Sequence, residues 1–242
     1  MKVALIGYGK MGKEIERVLL DSNLSDEIVL KISENNLSDL TVENLQKADV
    51  AIEFTQPEAA VKNIRLCFKA GIPVVVGTTA WLEKLPEITQ DCNAANGALF
   101  HAPNFSIGVN IFFEINRKLA AIMQQQPQYD IGIEEIHHTE KKDAPSGTAI
   151  KTAEVILSEL KRVKKWQLEN TLEVQNNLLP IVAKREPNVP GTHTVIYKSA
   201  VDEIVLTHQA HSRRGFAEGA VTAARWLIGK KGVFEMKDLL SF

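Results

Sequence analysis

The chain has 242 residues, 28 Lys and Arg against 30 Asp and Glu, a formal net charge of −2, and 45% hydrophobic residues. These proportions exclude a fibrous or wholly disordered chain, and so small a charge gives no footing for broad nucleic-acid binding. Two cysteines cannot build a disulfide framework, no apolar run approaches the roughly 20 residues that span a bilayer, and the apolar start stops at Gly7, too short for a signal-peptide core; a cytoplasmic globular protein of one large or two modest domains is expected.

Val3–Ile6 reads as a continuous apolar strand, and Lys10–Leu20 carries Ile15, Val18 and Leu19 at helical spacing. Ile28–Ile32 and Asp49–Phe54 are further strands. Pro57–Ala70 is a helix with proline in its first turn and Gly71 as its stop. Pro73–Val76 and Ala98–His101 are buried strands on either side of an amphipathic segment, Trp81–Asn93. Apolar strands alternating with helices predict a parallel sheet covered on both faces. After Phe105 the pattern changes to a helix at Val109–Gln124, a strand at Tyr129–His137 and a long helix at Gly147–Val163. Val163–Asn177 is polar and poorly periodic and is expected to be mobile or variable. Thr192–Lys198 and Glu203–Ala210 alternate as antiparallel strands do, with a turn at Val201-Asp202, and Phe216–Ile228 closes the pattern as a helix. Two domains fit: a Rossmann-like half, and a mixed α+β half inserted before the closing helix.

Gly7-Tyr8-Gly9-Lys10-Met11-Gly12 is a GxGxxG motif between a predicted strand and a predicted helix, the context a dinucleotide fingerprint needs; the plain alternative is a turn that holds three glycines. In the fingerprint reading Gly7 makes the tight turn, Gly9 lets the backbone approach a pyrophosphate and Gly12 allows close helix–strand packing. Free N–H groups at the helix start then hold phosphate, with Lys10 and Met11 in the binding loop. Glu34, just past the second strand, would hold the adenosine ribose hydroxyls. Its uncharged neighbours Asn35 and Asn36 favour NADH, while Lys10 and Lys31 keep NADPH open. Phe54-Thr55-Gln56-Pro57-Glu58 and Gly77-Thr78-Thr79-Ala80 end parallel strands at the edge where such sheets bind ligands, and their small hydroxyls suit a ribose or carboxamide.

From Glu134 to Ala149 a strand ends in His137-His138, charged residues follow, and Pro145-Ser146-Gly147-Thr148 turns into a helix. Two hydroxyls, free N–H groups and the helix dipole make an anion site, with Lys141 and Lys142 adding charge. A substrate with carboxylates is the natural guest, and a histidine beside it can donate a proton near neutral pH. Ser146 serves equally well as a simple N-cap. Adjacent strand residues point to opposite faces, so one of the two histidines is expected to face a given site. His137-His138 lacks further ligands at helpful spacing, so no metal is expected.

This segment carries a resemblance that other blocks share, in the same order along the chain. They are Glu53-Phe54-Thr55-Gln56-Pro57-Glu58, Gly77-Thr78-Thr79, Ala102-Pro103-Asn104-Phe105-Ser106-Ile107-Gly108-Val109-Asn110, Gly191-Thr192-His193-Thr194-Val195 and His208-Gln209-Ala210-His211-Ser212-Arg213. From Met1 to near Phe242 the sequence resembles the 4-hydroxy-tetrahydrodipicolinate reductase (dihydrodipicolinate reductase) family. The resemblance implies NADH- or NADPH-dependent reduction of a cyclic imine dicarboxylate, 4-hydroxy-tetrahydrodipicolinate, to tetrahydrodipicolinate in diaminopimelate and lysine biosynthesis. It implies His137 as general acid, Lys141 as the group that binds and polarises the substrate, and His138 on a carboxylate. Ser146, Gly147 and Thr148 would hold the other carboxylate, with Thr79 close by. Gly77, Thr78 and Thr79 would meet the nicotinamide, with Phe54 and Thr55 also cofactor-binding. Ala102, Asn104 and Phe105 would line the cofactor cleft, and Arg213 and Phe216 would approach from the returning segment. Residues 1–105 and 213–242 would form the dinucleotide-binding domain of an α/β protein. Residues 106–212 would form an α+β substrate-binding and oligomerisation domain with a mixed open sheet. A homotetramer that pairs those sheets is implied, with no nucleic-acid or membrane partner. The family's glycine loop often has an extra residue with an arginine where this chain carries Lys10, and some members have a third histidine where it has Glu140. Lys141, Lys142, Arg213 and the helix start are expected to make a local positive pocket.

Overall fold

In the computed structural model, which describes residues 1–22, 24–172 and 177–242, the apolar runs of the first hundred residues become strands of one parallel sheet. β1 (Lys2–Ile6) leads into α1 (Lys10–Asp21), β2 (Glu27–Ile32), a 3-10 turn at Glu34–Asp39, α2 (Val42–Leu45), β3 (Val50–Glu53) and α3 (Pro57–Ala70). β4 (Val74–Val76), a 3-10 turn at Leu82–Lys84, α4 (Leu85–Ala94) and β5 (Ala98–His101) follow. The expected helix at Trp81–Asn93 is thus two pieces, because Pro86 cannot continue the preceding turn and instead opens α4.

The next stretch builds a second sheet. α5 (Ile107–Met123) and β6 (Asp130–His137) precede α6 (Gly147–Glu159), then come β7 (Lys165–Glu169), β8 (Leu178–Arg185), β9 (Gly191–Lys198) and β10 (Glu203–Ala210). The order is β10-β9-β6-β8-β7, with β8 parallel to β6 and β7, and β9 antiparallel to β6 and β10, so the sheet is mixed. Ile131 and Ile133, Leu179 and Ile181, and Val195 and Tyr197 alternate onto one face and pack against Phe112, Ala149, Ala153 and Ile156 of the helices. Each such side chain removed from water contributes about 1.5–3 kcal/mol. Helix α6 stops at Glu159, short of the expected Val163. β7 lies within the stretch expected to be mobile, and its Trp166 packs against the helix-facing core; residues 173–176 of that stretch lie outside the described residues.

The chain then returns to the first sheet with α7 (Arg214–Leu227), β11 (Gly232–Phe234) and α8 (Met236–Leu240). The completed order is β11-β5-β4-β3-β1-β2, all parallel. On one face Val3, Leu5, Val75 and Phe100 pack with Ile15, Val18 and Leu19 of α1 and with Ala217, Ala220, Val221 and Ala224 of α7. On the other, Ala4, Ile6, Val74 and Leu99 pack with Ile64 and Cys67 of α3 and Ile88 and Cys92 of α4. Burial on both faces is why these strands read as unbroken apolar runs. The chain divides into two units, Met1–Ile107 with Arg214–Phe242, and Gly108–Arg213. Among the described residues no helix is long and apolar enough to cross a membrane.

Candidate functional site

In the first unit a groove opens along the carboxyl ends of the strands. It holds about 460 Å³ and is lined by Gly7, Tyr8, Gly9, Ser33, Glu34, Asn35, Phe54, Thr55 and Asn63 among others. β1 ends at Gly7, whose φ of +99° is the left-handed region and where an added Cβ would lie 2.0 Å from the Phe54 carbonyl oxygen. Gly12 has no room either: its Cβ would stand 2.4 Å from the Gly7 carbonyl oxygen. At Gly9 a Cβ would meet nothing within 4 Å. Gly9 is also the N-cap of α1 and gives it no side-chain cap, so the first-turn N–H groups lack an internal acceptor. An open cradle in front of uncapped N–H groups fits a dinucleotide pyrophosphate. Lys10 is exposed beside it and Met11 is half-buried against the core.

At one end Glu34 is exposed on the groove rim, its turn held by the Ser33–Asn36 capping box. Lys31, left open for a phosphate by sequence, is committed elsewhere: it pairs with Glu16, which also accepts from the Tyr8 hydroxyl, and lies 5.3 Å from the Tyr8 ring centroid. At the other end the Thr55 N–H donates to the Thr78 hydroxyl (2.7 Å), and the Thr55 hydroxyl donates to Glu53. The two threonines therefore tie the loops after β3 and β4 together. Gly77 lies against the Phe54 ring, and Thr79 is exposed. Glu53 is fully buried behind them, and burial pushes its carboxyl up against the hydrogen bonds of Thr55, Thr78 and Asn63. Ala102 and Phe105 were expected to line the cleft. Their side chains belong to the core, Phe105 packing 5.8 Å from both Phe54 and Phe100. Asn104 is half-buried and its side chain accepts from the Ser106 N–H. Phe216 is half-buried on α7, and Arg213 is exposed at the end of the second unit.

The second unit contains a buried charged cluster at the end of β6. Strand alternation puts Glu135 and His137 on one face. Pairing of β6 with β9 sets His193 opposite Glu135. His137 Nδ1 is 3.5 Å and His193 Nε2 3.7 Å from Glu135 Oε2. Ser146 N–H donates to both carboxylate oxygens (3.1 and 3.0 Å), and its hydroxyl shares a 3.0 Å hydrogen bond with His193 Nε2. The Arg185 guanidinium stands 3.4 Å from Glu135 Oε1 and donates to the carbonyls of Lys141 (3.3 Å) and Asp143 (2.6 Å). Burial works against the Glu135 charge, but His193, the Ser146 donors and nearby His137 outweigh it and hold the carboxyl at about 2. Burial pushes His137 down to about 4, against the pull of Glu135 and with help from His193, Lys141 and Arg185, so the free imidazole is neutral at pH 7.

Two expectations change here. Ser146 does not present its hydroxyl to a ligand: it is buried, caps Ala149 N–H (3.1 Å) and meets His193. Gly147 is exposed, with nothing within 4 Å of an added Cβ, and Thr148 is half-buried; they carry the open first turn of α6. The positive charge also comes from a different set. Lys141 Nζ is held by both Asp143 oxygens at 2.8 Å, Lys142 and Glu140 are exposed, and the cation beside the buried Glu135 carboxylate is the half-buried Arg185. His138, half-buried, follows the end of β6. Sequence left His137 without neighbouring ligand atoms, yet those of Glu135, His137 and His193 lie within 4.8 Å of one another. The fixed guanidinium charge and the Ser146 donors already compensate the carboxylate, so the cluster is balanced by groups of this chain. Glu135, Arg185 and His193 were missed. Glu135 had a local signal, two residues before His137 on the same strand face, and His193 stood in one of the blocks that carry the resemblance.

Residues 1–105 match the family described as dihydrodipicolinate reductase, N-terminus, and residues 108–240 the one described as dihydrodipicolinate reductase, C-terminus. The chain is 49% identical over 245 residues to a Christiangramia forsetii protein named 4-hydroxy-tetrahydrodipicolinate reductase, covering 100% of this chain and 98% of that one. It is 37% identical over 201 residues to a protein of the same name from Ralstonia nicotianae, covering 81% of this chain and 75% of that one. Among solved structures, a dipicolinate-bound dihydrodipicolinate reductase from Paenisporosarcina sp. TG-14 matches with a TM-score of 0.82 at 25% identity, covering 97% of each chain.

Proposed function

The chain belongs to the dihydrodipicolinate reductase family, and we propose that it reduces 4-hydroxy-tetrahydrodipicolinate to tetrahydrodipicolinate with NAD(P)H, in the cytoplasmic synthesis of diaminopimelate and lysine. The observation that carries this reading is the loop from His137 to Thr148. It joins a neutral buried imidazole, an ammonium and the open start of a helix, in a chain that also builds a glycine-loop groove. The related enzyme solved with dipicolinate supports a small cyclic dicarboxylate as substrate. In this reading the first unit is the dinucleotide-binding domain and the second the substrate and oligomerisation domain.

One substrate carboxylate is held by the N–H groups of Gly147 and Thr148, and another by His138. Lys141 exchanges its Asp143 partner for the substrate and polarises it. His137 is neutral in the free protein, and the negative charge of a bound dicarboxylate raises its affinity for a proton, so the acid is loaded as the substrate arrives. The nicotinamide, when bound, supplies the hydride. NADH is the preferred form, because Glu34 stands at the groove rim and Lys31 is tied to Glu16. A homotetramer is supported by the face of the second sheet turned away from α5 and α6, where half-buried Ile136 and Ile196 and exposed Val205 lie.

The test is a coupled assay. Pyruvate, aspartate semialdehyde and the preceding synthase supply the substrate, and oxidation of NADH and NADPH is followed separately. Turnover with NADH the faster cofactor is expected; no oxidation of either would sink the reading.

A further inference from the structure

His137 is surrounded by more charge than delivery of one proton requires. Glu135 is fully buried, two residues back on the same strand face. Its row continues across the sheet, since β9 places His193 opposite Glu135 and β10 places His208 opposite His193. Leaving a carboxylate in such a place without a permanent cation is strongly unfavourable. Arg185 is that cation, 3.4 Å from Oε1, and its remaining fork holds the carbonyls of Lys141 and Asp143. His137 Nδ1 has no hydrogen-bond partner among the described residues, and the nearest charged atom to it is Glu135 Oε2 at 3.5 Å. Protonation of the ring would turn that contact into an ion pair. The groups facing His137 are Glu135 from its own strand, His193 from β9 at 5.1 Å between ring centroids, Arg185 from β8 and Lys141 from the loop. Asp143 faces Lys141 instead.

We propose that Glu135 and Arg185 are positioning residues of opposite sign that set when His137 takes up its proton: Glu135 draws the proton onto the ring, and Arg185 keeps it off until the substrate's negative charge arrives. The proposal rests on His137 being the proton donor in the reduction proposed above. It assigns these two residues an electrostatic role beyond packing, and that role predicts effects of opposite direction.

The test is the pH dependence of kcat for wild type, Glu135→Gln and Arg185→Gln, with His137→Gln as reference. Turnover that needs the imidazolium falls as pH rises through its ionisation in the complex. Glu135→Gln should move that limb down by about one pH unit or more, a tenfold change in the ionisation ratio, and Arg185→Gln should move it up. KM for NADH should stay within about twofold in both. The His137 ring titration, followed by NMR in the free proteins, should shift in the same two directions without any turnover. A kcat lowered evenly at all pH, or two limbs that stay put or move together, overturns the proposal. Either variant alone tests its own sign if the other does not fold, and Glu135→Asp, which keeps the charge, should bring the limb back toward wild type. Failure of the underlying reading has a different signature: wild type without turnover, or His137→Gln turning over as wild type does.

Discussion

The glycine-loop groove and the His137 cluster solve opposite problems. The groove works by leaving atoms out: Gly9 faces open space, Gly7 and Gly12 leave no room for a Cβ, and the uncapped start of α1 supplies donors without side chains. The cluster works by packing charge in: a buried carboxylate, two imidazoles and a guanidinium are stable together because each compensates another. The first should therefore fail when atoms are added, and the second when charge is removed.

The largest effect is expected from Lys141→Ala, which should lower kcat by about 10²–10⁴-fold, the range of one polarising or acid–base group, while NADH affinity measured by fluorescence titration barely moves. Near-normal turnover would remove Lys141 from the mechanism. Gly7→Ala adds atoms to the groove, where both the left-handed backbone and the Phe54 carbonyl resist them, and should destabilise the fold by about 3 kcal/mol or more in urea unfolding. Addition should hurt the cluster less. At Gly191 a Cβ would lie 3.0 Å from His137 Nε2, a contact the ring can relieve by tilting, so Gly191→Ala should cost about tenfold in kcat, or about 1.4 kcal/mol.

Acid removes charge compensation without mutation. His137 has its folded value depressed from 6.5 to about 4, so below pH 6.5 the unfolded chain takes up a proton that the folded site refuses. Glu135, depressed from 4.5 to about 2, repeats the effect between those values. Both therefore stabilise the fold at neutral pH and withdraw that support as pH falls, by on the order of 1 kcal/mol per pH unit in each window. Urea midpoints that hold steady from pH 6.5 to 4 would contradict it. The smallest effect is subtraction from the groove: Glu34→Ala should raise KM for NADH by about two- to tenfold, the worth of one or two hydrogen bonds, and leave KM for NADPH nearly unchanged.

The same contrast explains what could be read from the sequence. Turn, cradle and packing roles at Gly7, Gly9 and Gly12 follow from local spacing, and the strands and helices that frame them have periods visible within a dozen residues. His137 and Lys141 stand in a segment whose chemistry is local as well. Arg185 and His193 reach the site only through the pairing of β6 with β8 and β9, which no window of sequence contains. For that reason Ser146 was expected to serve a ligand when its hydroxyl in fact meets His193. Lys31, left open for a phosphate, pairs with Glu16 from another element, a contact equally outside any local window. β7 did show alternation at Trp166 and Leu168, but five mostly polar residues on a sheet edge do not stand out from a loop.

The return of the chain to the first sheet has a consequence for how the protein is made. During synthesis residues 108–213 emerge as one uninterrupted stretch with its own sheet, whereas the first sheet still lacks β11 beside β5 and the α7 residues that cover Leu5, Val75 and Phe100. The unit that begins first is thus completed last, and a chain cut short before Arg214 leaves an open strand edge and a bare apolar face. Such a fragment exposes the surfaces that invite mispairing and aggregation until Arg214–Phe242 close the sheet.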